Sequence, residues 1–266
     1  MRLGLGAAAL VVTLLLAEGG LRVVAHATLR ERGVTLDEQL GWHMLPNVEK
    51  SGGEWGRGAP ARTNSHGWRD AEHPYESPPG TRRVLALGDS FTFGQNVDYG
   101  ARFTELLEEP GREVVNLGAC GYGPDQELIA YREEGRRYGA EVVLWTVFLG
   151  NDLNDLLNDR SSGWPKPNFR VVEGALVLHP PHHDLLTRLR SRSYLLEVVL
   201  QALQRGRPAN RKASDADAVD VRELFGTIAA ELAREVERDG ARLVVTLAHP
   251  PSPRPSPNAP AVRAAL

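Results

Sequence analysis

Cysteine is almost missing from this chain. Cys120 is the one thiol in 266 residues, so no intrachain disulfide can form and a packed core must hold the fold. An extracytoplasmic location stays open, because a chain of this size does not depend on disulfides. A basic excess is missing as well. Lys and Arg number 31 against 34 Asp and Glu, for a net charge of −3, which gives no support to a nucleic-acid partner, since such a partner needs a basic face. Metal-type spacing is also lacking. His179, His182 and His183 cluster in a proline-containing stretch, but the spacing matches no zinc pattern and reads as a solvated loop. No metal and no cofactor is expected. What remains is ordinary globular composition, 42% hydrophobic and 24% charged, enough for one α/β domain with an appendage.

Long apolar runs are confined to the amino terminus. Leu3 to Ala17 is apolar apart from Thr13, and Val23-Val24-Ala25 follows after Glu18 and Arg22. Two readings compete for residues 1–27. One is a secretory signal peptide with Ala25-His26-Ala27 as its cleavage site. The other, favoured here, is an uncleaved anchor meeting the membrane through residues 3–25, with Glu18 and Arg22 paired on one helix face near the interface. Either reading places the following domain outside the cytoplasm.

Residues 28–80 are rich in Gly and Pro and read as a lead-in segment. Within it, Thr63-Asn64-Ser65-His66-Gly67-Trp68-Arg69-Asp70 is dense in hydrogen-bonding groups and reads as an ordering turn, with substrate contact by Arg69 the lesser alternative. Ser77-Pro78-Pro79-Gly80 is a linker. The core occupies 81–250. Val84-Leu85-Ala86-Leu87 is a short apolar run that breaks at Gly88-Asp89-Ser90, the pattern of a buried parallel strand ending at a turn. A helix is expected over Val97–Glu108, with Phe103, Leu106 and Leu107 inward. Glu113–Leu117 is a second strand, followed by the tight loop Gly118-Ala119-Cys120-Gly121-Tyr122-Gly123. Pro124 opens a helix. Glu141–Leu149 is the third and most apolar strand, expected at the centre, and it ends in Gly150-Asn151-Asp152. This alternation implies a parallel sheet with right-handed crossovers. Residues 153–213 interrupt it as an insertion, with a hairpin turning at Glu173-Gly174. An amphipathic helix over Asp217–Asp239 and a fourth strand, Ala241–Ala248, complete the core. Residues 251–266 are expected as a Pro-rich disordered tail.

The three turns after the three strands fall on one sheet edge, where doubly wound folds bind ligands. Acyl transfer needs a nucleophile and donors aimed at an oxyanion. Ser90 offers a hydroxyl and its own N–H, a glycine of the second turn another N–H, and Asn151 a side-chain amide. Alone, Ser90 could equally be a helix N-cap. A dinucleotide site is disfavoured, because Gly118-x-x-Gly121-x-Gly123 has the wrong glycine order.

With these residues in place, the chain resembles the SGNH (GDSL) hydrolase superfamily, in its membrane-anchored bacterial form, over roughly residues 60–250. The resemblance implies an α/β fold: a three-layer α/β/α sandwich around a doubly wound, flavodoxin-like parallel sheet. It implies Ser90 as nucleophile, and Gly121 and Asn151 as oxyanion-hole residues, with Gly118 the alternative glycine and Asp89 and Asp152 as neighbours. It implies an acyl ester as substrate, free or on a carbohydrate. The family's base lies in an Asp-x-x-His block near the carboxyl end. The expectation is that no histidine of the chain has an aspartate three residues before it. His249, at the end of the fourth strand, is a lesser candidate for the base. The expectation is therefore a nucleophile site without its base, in a truncated or frame-shifted product lacking its last strand and helix. A non-catalytic, membrane-tethered module of the same fold is the alternative.

Overall fold

The computed structural model describes residues 2–27, 33–50, 61–161, 163–204, 215–249 and 259–266. Four parallel strands form the central sheet: β1 (Arg82–Gly88), β2 (Arg112–Asn116), β3 (Val142–Phe148) and β4 (Arg242–Ala248). Their order across the sheet is β4-β3-β1-β2. The chain therefore winds outward on one side of β1, then crosses to the other side for β3. That reversal is the switch point of a doubly wound fold, and ligands bind at the carboxyl ends of the strands flanking it. The third strand is central, lying between β4 and β1. Leu85, Leu87, Val143, Trp145 and Val147 are all fully buried, as expected for parallel strands covered on their core face.

Two helices cover that face. Pro124–Glu133 packs on β1 and Asp215–Arg238 packs on β4, and the two touch each other. The longer helix buries Val221, Phe225, Ile228, Leu232 and Val236, a spacing of three and four residues that makes one apolar stripe. Arg132 of the shorter helix donates to Glu235 of the longer at 2.6 Å. The Glu235 carboxylate has little exposure, so the pair pins the two helices in register.

The region between β1 and β2 departs from expectation. The helix expected over Val97–Glu108 is instead a 3-10 turn, Tyr99–Ala101, and a short helix, Phe103–Leu106. Arg102 between them is extended, at φ −66° and ψ 146°. Its guanidinium is buried, donates to the Arg69 carbonyl, Asp70 and Glu105, and lies over the Tyr99 ring. The contacts with Arg69 and Asp70 come from the lead-in segment, and the helix breaks where they meet Arg102, so tertiary contacts override local propensity. Leu106 is consequently 72% exposed and Thr104 is the buried residue of that turn.

The hairpin pairs Asn168–Val172 with Ala175–His179 and turns at Glu173-Gly174, both with positive φ, a turn geometry that suits the strands' twist. The tail is not without order. Ala259–Ala265 is a helix whose Ala259 and Val262, three residues apart, are buried against Asp215–Arg238. Residues 251–258 of the expected tail lie outside the described residues.

Candidate active site

Sheet register brings the three turns together. Gly88 pairs with Thr146 of β3, and its carbonyl accepts from the Ala119 N–H at 3.1 Å. The first turn is thus held between the other two. Ser90 opens the short helix Ser90–Phe93, and Asp89 is its N-cap, with Oδ1 accepting from the Phe91 N–H at 2.9 Å. Ser90 Oγ lies 3.5 Å from Asp89 Oδ2. Asp89, not Ser90, is therefore the cap, and Ser90 stands at the first helical position.

Two glycines are required by close approach. A Cβ on Gly118 would sit 2.4 Å from the Phe93 nitrogen and 2.5 Å from the Thr92 carbonyl carbon. One on Gly88 would sit 2.9 Å from the Thr146 carbonyl oxygen. Only bare backbone lets the second turn press against the serine helix. Asn116 fastens the same contact. Its Nδ2 donates to the Thr92 carbonyl at 2.8 Å and to Thr104 Oγ1 at 3.1 Å, while its Oδ1 accepts from the Gly118 N–H at 2.8 Å. The lead-in segment braces this from outside. Asp70 Oδ2 accepts from the Asn116 N–H at 2.7 Å. Arg69 donates to the carbonyls of Phe93, Gly94 and Val97, so its role is to hold the loop after Ser90.

Gly121 has φ +86° and faces Trp42 and Ser161. Its carbonyl accepts from Ser161 Oγ at 3.0 Å. The neighbouring Tyr122 is fully buried and donates to the Trp42 carbonyl at 3.0 Å. Asn151 N-caps the helix Asp152–Asp155, and its Nδ2 donates to Asp155 Oδ2 at 2.6 Å, fixing the amide. Asp152 turns inward, its Oδ2 accepting from the Phe148 N–H at 2.6 Å.

Beneath the turns lies a group of buried acids that the sequence reading did not single out. Asp125, Glu127 and Asp155 join Asp89 and Asp152, and all five are buried. Lys166 answers them. Its Nζ lies 2.5 Å from Asp125 Oδ2 and 3.0 Å from the Asp155 carbonyl, and both charged side chains of the pair are at 0% exposure. Glu127 Oε2 accepts from Trp145 Nε1 at 2.6 Å. Burial drives the carboxyls of Glu127 and Asp152 well above the usual range, with neighbouring acids pushing the same way. Burial likewise raises Asp89 to about 6, the Phe91 N–H opposing it and Asp155 adding to it. Asp125 rises too, its desolvation outweighing the attraction of Lys166. Asp155, four residues after Asn151, had a detectable signal in that helical spacing. Lys166 had none, standing 41 positions from Asp125.

Among the described residues, no imidazole makes a hydrogen bond to Ser90, and His249 is exposed at the end of β4. The expected absence of any Asp-x-x-His spacing does not hold. The chain does contain an Asp-x-x-His spacing, Asp70-Ala71-Glu72-His73, in the lead-in rather than near the carboxyl end. His73 Nε2 is 3.4 Å from Asp70 Oδ2, and Nδ1 is 3.9 Å from Glu113. Burial pulls the His73 pKa down, but Asp70 and Glu113 outweigh it and the net shift is upward. Glu113 is level with Arg83, five residues before Gly88, which is about 16 Å down the strand at ~3.3 Å per residue. This pair supports Asn116 and does not serve Ser90.

No family model matches the chain, and no curated protein matches it. Among solved structures, a lipase from a goat rumen metagenome aligns at 14% identity with a TM-score of 0.32, over 63% of this chain and 63% of its own. The SGNH-hydrolase family esterase AlinE4 aligns at 20% identity and TM-score 0.29, over 63% of this chain and 77% of its own. A lipolytic protein of the G-D-S-L family from Veillonella parvula aligns at 14% identity and TM-score 0.26, over 62% of this chain and 78% of its own.

Proposed function

We propose that this chain is an acyl-ester hydrolase of the SGNH type, with Ser90 as nucleophile. The oxyanion would be met by the Ser90 N–H, the Gly121 N–H and the Asn151 amide. Supporting this is the register that puts the serine helix between the second and third turns, locked by glycines that admit no Cβ. A helix start directs backbone N–H groups at a developing negative charge. Asp155 supports the assignment of Asn151, because an amide held at one N–H is oriented for the other. The substrate would be a small acyl ester, such as an O-acetyl group on an envelope carbohydrate, met outside the cytoplasm by an anchored domain. The anchor would be Gly4–Ala25, which is long and apolar enough to cross a membrane.

The second reading, a tethered module of this fold without turnover, is favoured by one observation: among the described residues nothing supplies Ser90 with an imidazole. Losing a triad member typically costs about 10⁴-fold or more in rate. Reaction with a fluorophosphonate probe, alongside turnover of p-nitrophenyl acetate, separates the readings. The hydrolase reading expects covalent labelling of the full chain, abolished in Ser90→Ala. A folded chain that neither labels nor turns over ester would establish the tethered module.

A further inference from the structure

We propose that residues 185–204 form a second membrane-contact element, seated in the headgroup layer of an anionic bilayer beside a retained amino-terminal span. The inference rests on the anchored reading above. Two short helices, Leu185–Arg190 and Tyr194–Gln204, are built inside out. In the first, Thr187 and Arg190 face the protein, while Leu185, Leu186 and Leu189 are 73%, 51% and 50% exposed. In the second, Val198, Val199 and Leu203 are exposed. A surface helix of a water-soluble domain has the opposite arrangement. Arg190 is turned inward for a reason: it lies 2.5 Å from Glu197 and donates to the Gly163 carbonyl at 2.6 Å. That contact joins the helices and leaves their leucines and valines outward.

The occupant is indicated by continuity with the amino-terminal helix. Glu18 lies within its apolar stretch, where a bare charge would cost several kcal/mol in hydrocarbon. It is not bare. Its Oε1 accepts from Arg22 Nε and the Tyr194 N–H, both at 2.9 Å. Its Oε2 accepts from Ser193 Oγ at 2.9 Å and the Leu195 N–H at 2.8 Å. Glu18 thus accepts the Tyr194 and Leu195 N–H groups of the first turn of Tyr194–Gln204 from 176 and 177 positions away, beside the local cap in which Ser193 Oγ accepts from the Leu196 N–H at 3.1 Å. Arg22 donates to the Arg192 carbonyl at 2.8 Å and lies over the Tyr194 ring. Cleavage after Ala27 would strip these contacts, so they favour retention. They also set depth. Gly4 to Ala17 spans about 21 Å at 1.5 Å per residue, which brings Glu18 and Arg22 toward one boundary of a hydrocarbon layer about 30 Å thick. The inside-out helices begin at that level. Exposed Arg188 and Arg192 flank their apolar face, a combination that suits anionic headgroups.

The test uses the full chain in vesicles of phosphatidylcholine and phosphatidylglycerol at 3:1. Cys120→Ala removes the native thiol. Single cysteines at Val11, Leu186, Leu203 and Glu173 then each carry an NBD dye, and lipid-borne nitroxide is the quencher. The proposal expects blue-shifted, strongly quenched emission at 11, 186 and 203, and water-like, unquenched emission at the hairpin tip, 173. Quenching at 11 with 186 and 203 behaving like 173 would overturn the proposal and leave the anchor intact. No quenching at 11 would remove the anchor and the proposal together. Probe labelling of Ser90 reports the hydrolase reading separately.

Discussion

Replacing Lys166 by methionine isolates one buried charge. The pair it makes with Asp125 has no exposure on either side. Once the ammonium is gone, the carboxyl must either stay ionised without a partner or take up a proton. Protonation sets the ceiling on the cost. An unfolded carboxyl ionises near 3.8, and holding it neutral at pH 7 then costs about 1.36 kcal/mol per unit, or ~4 kcal/mol. That agrees with the 3–5 kcal/mol typical of a broken buried pair. The lost bond to the Asp155 carbonyl adds about 1 kcal/mol. The cost has a definite pH dependence. At pH 5 the protonation part falls to ~2 kcal/mol, because the unfolded carboxyl is closer to its own midpoint. Urea unfolding of wild type and Lys166→Met at pH 5 and pH 7 measures both values. The double variant Lys166→Met/Asp125→Asn keeps the bond from the Gln126 N–H but carries no charge. It should recover most of the loss at pH 7 and show no added pH dependence. A single-variant cost that is equal at both pH values, or a double variant no more stable than the single, would refute the argument.

Two further outcomes follow from the site. Asp89 ionises at about 6 when folded against 3.8 unfolded, so between those values the folded state binds more protons. Stability therefore falls as pH rises through that window, by up to ~3 kcal/mol. Asp89→Asn keeps a capping oxygen and should flatten that fall, gaining at pH 8 and not at pH 4; parallel unfolding curves across the range would count against it. Gly118→Ala drives a Cβ into the backbone of Thr92 and Phe93. It should cost about 1–3 kcal/mol or more and abolish probe labelling of Ser90, whereas a variant with unchanged melting and labelling would mean the two turns are not in contact.

The four strands and their three turns could be read from the sequence, because apolar runs ending in Gly-Asp-Ser, a glycine-rich loop and Gly-Asn-Asp are local signals. Residues whose partners lie far along the chain could not. Arg102 looks like a helix interior until Arg69 and Asp70 come to it from the lead-in. Glu127 reads as an ordinary surface position in the first turn of a helix, yet it is buried under Trp145. Asp70 and His73 have the spacing of a catalytic pair, and only the register of β2 shows them supporting Asn116. Asn151 was legible as a chemical group, while the carboxylate that orients it was not singled out.

The Glu18 contacts bear on the order of assembly. Glu18 and Leu195 are 177 positions apart, so the amino-terminal helix is synthesised long before its partner exists. Closing so long a loop is slow and entropically unfavourable. Until it closes, Ser193 caps only the Leu196 N–H, the Tyr194 and Leu195 N–H groups lack their carboxylate, and Glu18 has no donor beyond its own helix. The sheet can form without either. This junction should therefore close late, and it should open first when the protein is stressed, leaving the serine turn intact while the insertion comes loose.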